Sequence, residues 1–170
     1  MPSLLDRTSN TVADSPPADP SQPDVAFIGA PGDPDLQTLF AYWNALRRGR
    51  LMPSRADFDP VRVPKLLPHI ILYNVAPAGG YTVRLVGEAV EAFIGRNTTG
   101  SRAGTLLNDR GLAAMTEILD AVCRERAPRF RRGKIYWVSE KNHRAFEACF
   151  LPLSADGETV NIILAAAKFQ

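Results

Sequence analysis

Residues 69–94, HIILYNVAPAGGYTVRLVGEAVEAFI, decide the fold. Two β-rich runs, His69–Val75 and Tyr81–Val86, are separated by the Pro- and Gly-containing turn 77–80, which predicts a hairpin. A short helix over Glu88–Ile94 follows directly. The first strand is apolar on both faces, whereas a sheet with one solvated face would alternate between apolar and polar residues. The hairpin therefore belongs to the interior of a layered domain.

The chain after this hairpin predicts one longer helix and three more strands. The helix begins at Asn108 or Asp109 and runs to about Arg126, with apolar residues at spacings of three and four. The strands are predicted over 129–139, 144–153 and 159–169. Strands in short-linked runs with grouped helices predict an α+β fold around a five-stranded antiparallel sheet. The last strand is also apolar on both faces, so we expect both faces of the sheet to be covered.

A leading helix is predicted before the hairpin, over residues 33–48. Asp33 is a suitable N-cap, Pro34 suits the first helical position, and Gly49 follows the end. Its apolar stripe is Leu36, Leu39, Phe40, Trp43 and Leu46. This stripe has two possible partners: the outer face of the chain's own sheet, or a second copy of the chain across a two-fold axis. We expect a homodimer on the second interpretation.

The composition of the chain limits its domain organisation, its binding surfaces and its location. Six of the 14 prolines lie within residues 1–32, which predicts a disordered tail before a single domain over 33–170. The run Val25–Ile28 is the exception, because it is apolar enough to dock on the body or on a partner. The net charge of +2 and the two cysteines point to neither a polyanion-binding surface nor a disulfide framework. Without a secretory pattern or a long apolar run, the expected location is the cytoplasm.

Two local patterns carry a resemblance to a known family. The stretch 81–87, YTVRLVG, is followed by Phe93-Ile94-Gly95-Arg96-Asn97, and the block from Met52-Pro53-Ser54-Arg55 to Leu66-Leu67-Pro68-His69 precedes it. Together with Tyr42-Trp43, these residues resemble the PAS domain superfamily, and within it a family of small stand-alone bacterial PAS-like proteins, over roughly residues 35–168. The resemblance implies a five-stranded sheet with a helical block on one face, and a role in sensing or protein docking.

In that fold, ligands sit between the helical block and the concave face of the sheet. By periodicity, the side chains that could point there are Phe93, Met115, Leu119, Tyr136 and Phe146. The alternative is that these side chains simply fill the core. The sequence does not support the known cofactor types. Flavin photoadducts need a cysteine that is absent from Gly95-Arg96-Asn97-Thr98. Haem iron needs an axial histidine, and neither His69 nor His143 is well placed to bind it. The cofactor is therefore unknown, and no metal site is predicted.

Three functions remain open at this stage. The first is a non-enzymatic sensory or protein-interaction module in signal transduction, acting on an unidentified signalling protein. The second is a small isomerase or hydratase, for which Glu147 is the one carboxylate found within a strand, and a buried Glu147 with a raised pKa facing a polar cavity would favour it. The third is a nucleic-acid binder, which a contiguous basic face would favour. That face would come from Arg124, Arg126, Arg129, Arg131, Arg132 and Lys134.

Overall fold

The computed structural model describes residues 25–135 and 144–170, and within them six strands form one antiparallel sheet. The strands are β1 (Val25–Ile28), β2 (Ile70–Val75), β3 (Tyr81–Val86), β4 (Arg129–Lys134), β5 (Ala145–Leu153) and β6 (Ile162–Phe169). The α-helices are α1 (Pro34–Leu46), α2 (Glu88–Ile94) and α3 (Asp109–Glu125). The sheet order is β1-β4-β5-β6-β2-β3, so β5 and β6 lie at the centre and β6 also pairs with β2.

The predicted α+β class, the hairpin and the helical block are confirmed, but the predicted strand number is one too low. The additional strand is β1, which lies inside the segment predicted as tail and pairs antiparallel with β4, from Val25 opposite Gly133 to Ile28 opposite Phe130. An edge strand supplies unpaired N–H and C=O groups that a short apolar run can satisfy. Residues 1–24 of the predicted tail lie outside the described residues, as do residues 136–143, on which the end of the strand predicted over 129–139 falls.

One face of the sheet, called the outer face here, is covered by α1. The Asp33 side chain caps the helix by accepting from the amides of Asp35 (2.9 Å) and Leu36 (3.1 Å), as the sequence predicts. At the other end, Trp43 Nε1 donates to the Pro152 carbonyl of β5 at 2.9 Å. Midway, the Phe40 ring meets Phe130 of β4 edge-on at 5.0 Å. The helix is therefore fixed along its length to the central strands.

The proline-rich segment between α1 and β2 forms three short 3₁₀ helices, Arg55–Asp57, Pro60–Arg62 and Pro64–His69. Asp59 caps the second by accepting from the Val61 amide at 3.0 Å, at the place where one helical turn is predicted. The third helix passes so close to the start of α2 that a Cβ on Gly87 would lie 2.4 Å from the Pro68 carbonyl oxygen. Close backbone approach of this kind requires glycine.

The opposite face, called the inner face here, looks toward α2, α3 and the connection between them. Along β2, Ile70 and Leu72 point outward while Ile71 and Tyr73 point inward, as expected from alternation. Strand β6 is buried on both faces from Ile162 to Ala167, which confirms that both faces of the sheet are covered. In the described residues, no helix is both long and apolar enough to cross a bilayer.

Candidate functional site

A cavity of about 420 Å³ lies between the inner face and the helices. Its floor is made by three small residues at the centre of the sheet, Ala148 of β5 and Ala165 and Ala167 of β6. Protein cores are normally close-packed, so methyl side chains at three neighbouring inward positions leave a hollow unless larger groups opposite them reach down. The side chains of the helices do not fill this hollow. The volume of the cavity lies within the range of small-molecule pockets.

Aromatic rings close one end of the cavity. Phe93 of α2 stacks on Phe169 of β6 with 3.9 Å between ring centroids and 2° between ring planes. Phe146 of β5 lies opposite Phe169 in the strand ladder and lines the same end. The Arg144 guanidinium lies 5.4 Å from the centre of the Phe93 ring. This end therefore offers flat apolar surfaces to a ligand.

The side wall is the connection from α2 to α3, residues 95–107. It pairs with the free edge of β3: the Val83 amide donates to the Ser101 carbonyl (2.8 Å), and the Gly100 amide donates to the Val83 carbonyl (2.7 Å). Gly95 and Gly100 have φ of +93° and +86°, the left-handed region that favours glycine. The wall is thus a backbone-paired segment whose turns depend on glycine.

A buried hydroxyl faces the cavity from β2. Tyr73 is nearly fully buried, and among the described residues its hydroxyl donates only to the Met115 Sδ atom, at 3.9 Å. A thioether is a weak acceptor, whereas buried tyrosine hydroxyls usually find a strong one. Burial raises the Tyr73 pKa well above its usual value, so the group is a neutral donor. It has the capacity to donate a hydrogen bond to a ligand.

A buried cation faces the cavity from β4. The Arg131 side chain is only 10% exposed, and its Nη1 donates to the Ala114 carbonyl of α3 at 2.7 Å. Nη2 lies 3.7 Å from the exposed Glu117 carboxylate, and the guanidinium lies 5.0 Å from the Phe27 ring centre of β1. Two further arginines, Arg96 and Arg102, line the cavity from exposed positions.

The predicted pocket residues are partly brought together. Phe93, Met115 and Phe146 line the cavity, whereas Leu119 is buried in the core without lining it. Tyr136 lies outside the described residues. The sequence reasoning missed Tyr73, Arg131 and the alanine floor. The run Ala165-Ala166-Ala167 in a central strand was the available signal, since small residues at inward positions mark a hollow.

The apolar stripe of α1 is covered within one chain. Leu36, Leu39 and Trp43 are buried against the sheet, and Phe40 and Leu46 pack beside them at partly buried positions. This places the stripe on the outer face, the first of its two predicted partners. The homodimer stays a prediction, and in this arrangement its interface would use other surfaces.

Glu147 lies on the outer face, away from the cavity. Its carboxylate accepts from the amides of Gly32 and Asp33 (2.9 Å for the latter) and from Arg132 Nε at 3.1 Å. Burial is the largest single influence and raises the Glu147 pKa, but the two amides and the Arg132 guanidinium together lower it below its ordinary value. Glu147 is thus an ionised anchor for the start of α1. This is the opposite of the raised-pKa carboxylate that the enzyme hypothesis requires.

His69 and the two cysteines do not line the cavity. His69 Nδ1 lies 3.1 Å from the Ala167 carbonyl, and His143 lies outside the described residues. Burial raises the pKa of Cys149 to about 12 and raises that of Cys123, so neither is a ready nucleophile. Across the described ranges, no three His, Cys, Asp or Glu side chains are grouped to hold a metal ion.

The basic cluster does not form one face. Arg129 pairs with Glu125 at the end of α3, Arg131 is buried on the inner side, and Arg132 pairs with Glu147 on the outer side. Strand alternation sends neighbouring residues of β4 to opposite faces. The contiguous basic face that a nucleic-acid binder would need is therefore not formed by these residues.

Comparison with known proteins identifies the family. A PAS domain family model matches residues 33–167, which is most of the chain. This chain belongs to the PAS domain family. Its sheet, helical block and cavity position agree with that assignment, and the resemblance predicted from residues 52–70 and 81–97 is confirmed.

Among solved structures, the chain is similar to one described as an RNA-binding Light-Oxygen-Voltage receptor. The identity is 12% and the TM-score 0.45, over 69% of this chain. The aligned part is 35% of that receptor's length. No curated protein matches the chain.

Proposed function

We propose that this PAS domain is a sensory module that binds a small molecule in its cavity and signals by docking to another protein. The observation that carries the proposal is the hollow inner face, formed by alanines where larger side chains would fill the core. A pocket of this volume, apolar with a few convergent polar groups, is typical of ligand sites.

Signalling would follow from the position of the cavity between the sheet and the helices. Its walls come from the central strands, from α2, from the 95–107 connection and from α3, so a bound ligand would contact all of these elements at once. A ligand that binds one packing of these elements better than another shifts the population toward it. Protein partners would read the resulting change on the helical side of the domain.

The rival functions have weaker support. Catalysis by Glu147 would require it to face the cavity, and nucleic-acid binding would require the arginines to share a face. Neither condition is met by the described residues. The two cysteines are free thiols, which suits a reducing compartment such as the cytoplasm.

Native mass spectrometry of the purified chain tests the proposal. We expect an added mass on the wild type that is lost in Ala165→Leu, because the larger side chain fills the floor of the cavity. Ala113→Leu is the matched control, since Ala113 is exposed on α3 and does not line the cavity. The same spectra report whether the chain is a monomer or a dimer.

The proposal is contradicted if the wild type carries no added mass and takes up none from a cell extract. It is also contradicted if Ala165→Leu retains the same mass as Ala113→Leu, because binding would then occur elsewhere on the molecule.

A further inference from the structure

We propose that the ligand is an uncharged apolar molecule with one hydrogen-bond acceptor, such as a ketone or ester oxygen, which accepts from the Tyr73 hydroxyl. This inference rests on the proposed function, and it adds the chemical class of the ligand and the residue that orients it. Three features support it: the position of the hydroxyl, its weak acceptor within the protein, and the existing partners of the enclosed cation.

The Tyr73 side chain lies at one end of the cavity, and aromatic rings lie at the other. Tyr73 is opposite Ile163 of β6 on the inner face, and its hydroxyl reaches α3. Further along β6 come the floor residues Ala165 and Ala167 and then Phe169. Alternate residues of a strand share one face, so these four residues of β6 form one inward row. A ligand lying over the alanines would therefore place its polar end at the hydroxyl.

The Tyr73 hydroxyl has a poor acceptor among the described residues. That acceptor is the Met115 thioether, 3.9 Å away, and a thioether accepts hydrogen bonds only weakly. The hydroxyl of Ser101, which also lines the cavity, donates instead to the Thr98 carbonyl at 2.5 Å. A buried donor without a strong acceptor is costly. An oxygen atom of a ligand at this place would remove that cost.

The charged groups of the lining do not call for a charged ligand. Arg131 Nη1 donates to the Ala114 carbonyl at 2.7 Å, and Nη2 lies 3.7 Å from the Glu117 carboxylate. Arg96 and Arg102 are exposed, where water and salt screen their charge. No aspartate or glutamate lines the cavity in the described part of the chain. A charged ligand would lose its hydration inside, while the enclosed guanidinium already has partners.

The walls determine the body of the ligand. Apart from the polar groups above, the lining is mostly aliphatic and aromatic, with Phe93, Phe146 and Phe169 at one end. Burying apolar surface here is favourable in proportion to its area, at about 25 cal/mol per Å². A sugar or a nucleotide would lose hydration without finding enough hydrogen-bond partners along these walls. One enclosed hydroxyl matches one acceptor on an otherwise apolar molecule.

Calorimetric titration of the full chain with four phenyl compounds of equal carbon number tests the assignment. The probes are propiophenone, propylbenzene, 3-phenylpropanoate and 3-phenylpropylammonium. Before titration the chain is unfolded, freed of bound small molecules and refolded, so that no retained ligand competes. We expect both uncharged probes to bind, and both charged probes to bind at least about tenfold more weakly than propiophenone, because their charge would have to leave water.

Tyr73→Phe should lower the affinity for propiophenone about tenfold, because its carbonyl oxygen would then be buried without a donor. Propylbenzene has no acceptor and should bind this variant as it binds the wild type. Tyr42→Phe is the matched control. The Tyr42 hydroxyl bonds to the backbone of Asp59 and does not line the cavity, so the binding of propiophenone should not change.

The thermal stability of the ligand-free variants, followed by circular dichroism, gives a second measurement. Tyr73→Phe removes a hydroxyl with only a weak acceptor, so its Tm should equal or exceed that of the wild type. Tyr42→Phe removes a hydroxyl that accepts from the Asp59 amide (3.1 Å) and donates to the Asp59 carbonyl (3.4 Å), so its Tm should fall. A clear fall in Tm for Tyr73→Phe would show that the protein itself satisfies this hydroxyl, and would overturn the assignment.

Unchanged propiophenone affinity in Tyr73→Phe would overturn the role of the hydroxyl. Tighter binding of either charged probe than of propiophenone would overturn the uncharged class. Both results leave a ligand cavity, and so the proposed function, in place. If no probe binds but the purified chain carries an added mass, a charged molecule, or one that Tyr73→Phe retains equally, overturns the assignment. If no probe binds and no mass is carried, the assignment and the proposed function both fail.

Discussion

The two faces of the sheet use the same strands in opposite ways. On the outer face, Cys149, Leu151 and Leu164 are fully buried beneath α1, and the buried Glu147 carboxylate holds the start of that helix. On the inner face, the alternate residues Ala148, Ala165 and Ala167 leave about 420 Å³ between sheet and helices. The outer face therefore supplies stability, and the inner face supplies space. We therefore expect substitutions that alter packing on the outer face to change the free energy of unfolding more than substitutions on the inner face.

The largest effect is expected for Leu39→Ala on the outer face. Leu39 is fully buried between α1 and the sheet, and removing its side chain leaves a cavity. We expect the free energy of unfolding to fall by about 3 kcal/mol, measured by urea denaturation. Val61→Ala is the control, because Val61 is 76% exposed and should change stability by less than about 0.5 kcal/mol. A loss below about 1 kcal/mol for Leu39→Ala would mean that α1 is loosely attached.

Glu147→Gln should lower the free energy of unfolding by about 2 kcal/mol at neutral pH, since it weakens hydrogen bonds to a charged group. Because the folded pKa lies below the ordinary value of 4.5, the carboxylate stabilises the fold above pH 4.5. That stability is lost as the pH falls through the folded pKa.

Urea denaturation of wild type and Glu147→Gln from pH 7 down to pH 3 measures this dependence, and their difference should shrink below pH 4.5. Glu158→Gln, an exposed carboxylate at a turn, provides the control. A difference that stays constant over this range would show that the anchor does not depend on the charge of Glu147.

A pair of adjacent substitutions compares the two faces directly. Cys149→Leu places a larger side chain in the packed outer layer and should cost about 1.5 kcal/mol through overpacking. Ala148→Leu places one in the cavity and should change stability by less than about 0.5 kcal/mol, because the added atoms gain contacts in free space. Thermal unfolding of the two ligand-free variants measures both. Equal losses would mean that the inner face is as tightly packed as the outer.

Of the two charged groups tested, the smaller effect is expected for Asp35→Asn, which weakens the pair between α1 and Lys168 of β6 (2.9 Å). The hydrogen bond from Lys168 holds the Asp35 pKa below its usual value, but both side chains are partly exposed. Solvent screening limits the loss to less than about 1 kcal/mol, and it should shrink further at high salt. A loss that persists in 1 M salt would point to a role beyond the ion pair.

Much of the fold could be predicted because its signals are local. Tyr81–Val86 and Glu88–Ile94 have their predicted bounds, and Asp33 caps α1 as its position before Pro34 indicates. Strand β1 could not be placed in the sheet, because its own four residues contain no information about which edge they join. The end of α1 was predicted two residues too late, since Arg47 and Arg48 are good helix formers and the helix nevertheless ends at Leu46.

The candidate site was less predictable. Periodicity found Phe93, Met115 and Phe146, since each lies on the apolar side of a regular element. It did not find Arg131, whose neighbours Arg129 and Arg132 made it resemble one member of an exposed basic run. The register between β4 and β5 places Arg131 opposite Ala148, on the inner face. The contacts of Tyr73 with Met115 and of Arg131 with Ala114 join residues that are far apart in the chain.

The sequence by itself determined the α+β class, the hairpin, the apolar stripe of α1 and the membership in the PAS family, because these depend on residue types at fixed local spacings. The tertiary structure decided that α1 covers the chain's own sheet, that Glu147 anchors a helix instead of facing a cavity, and that the inner face is hollow. These outcomes depend on how layers pack against one another. Whether small residues leave a void is set by the side chains opposite them, which only the folded arrangement brings together.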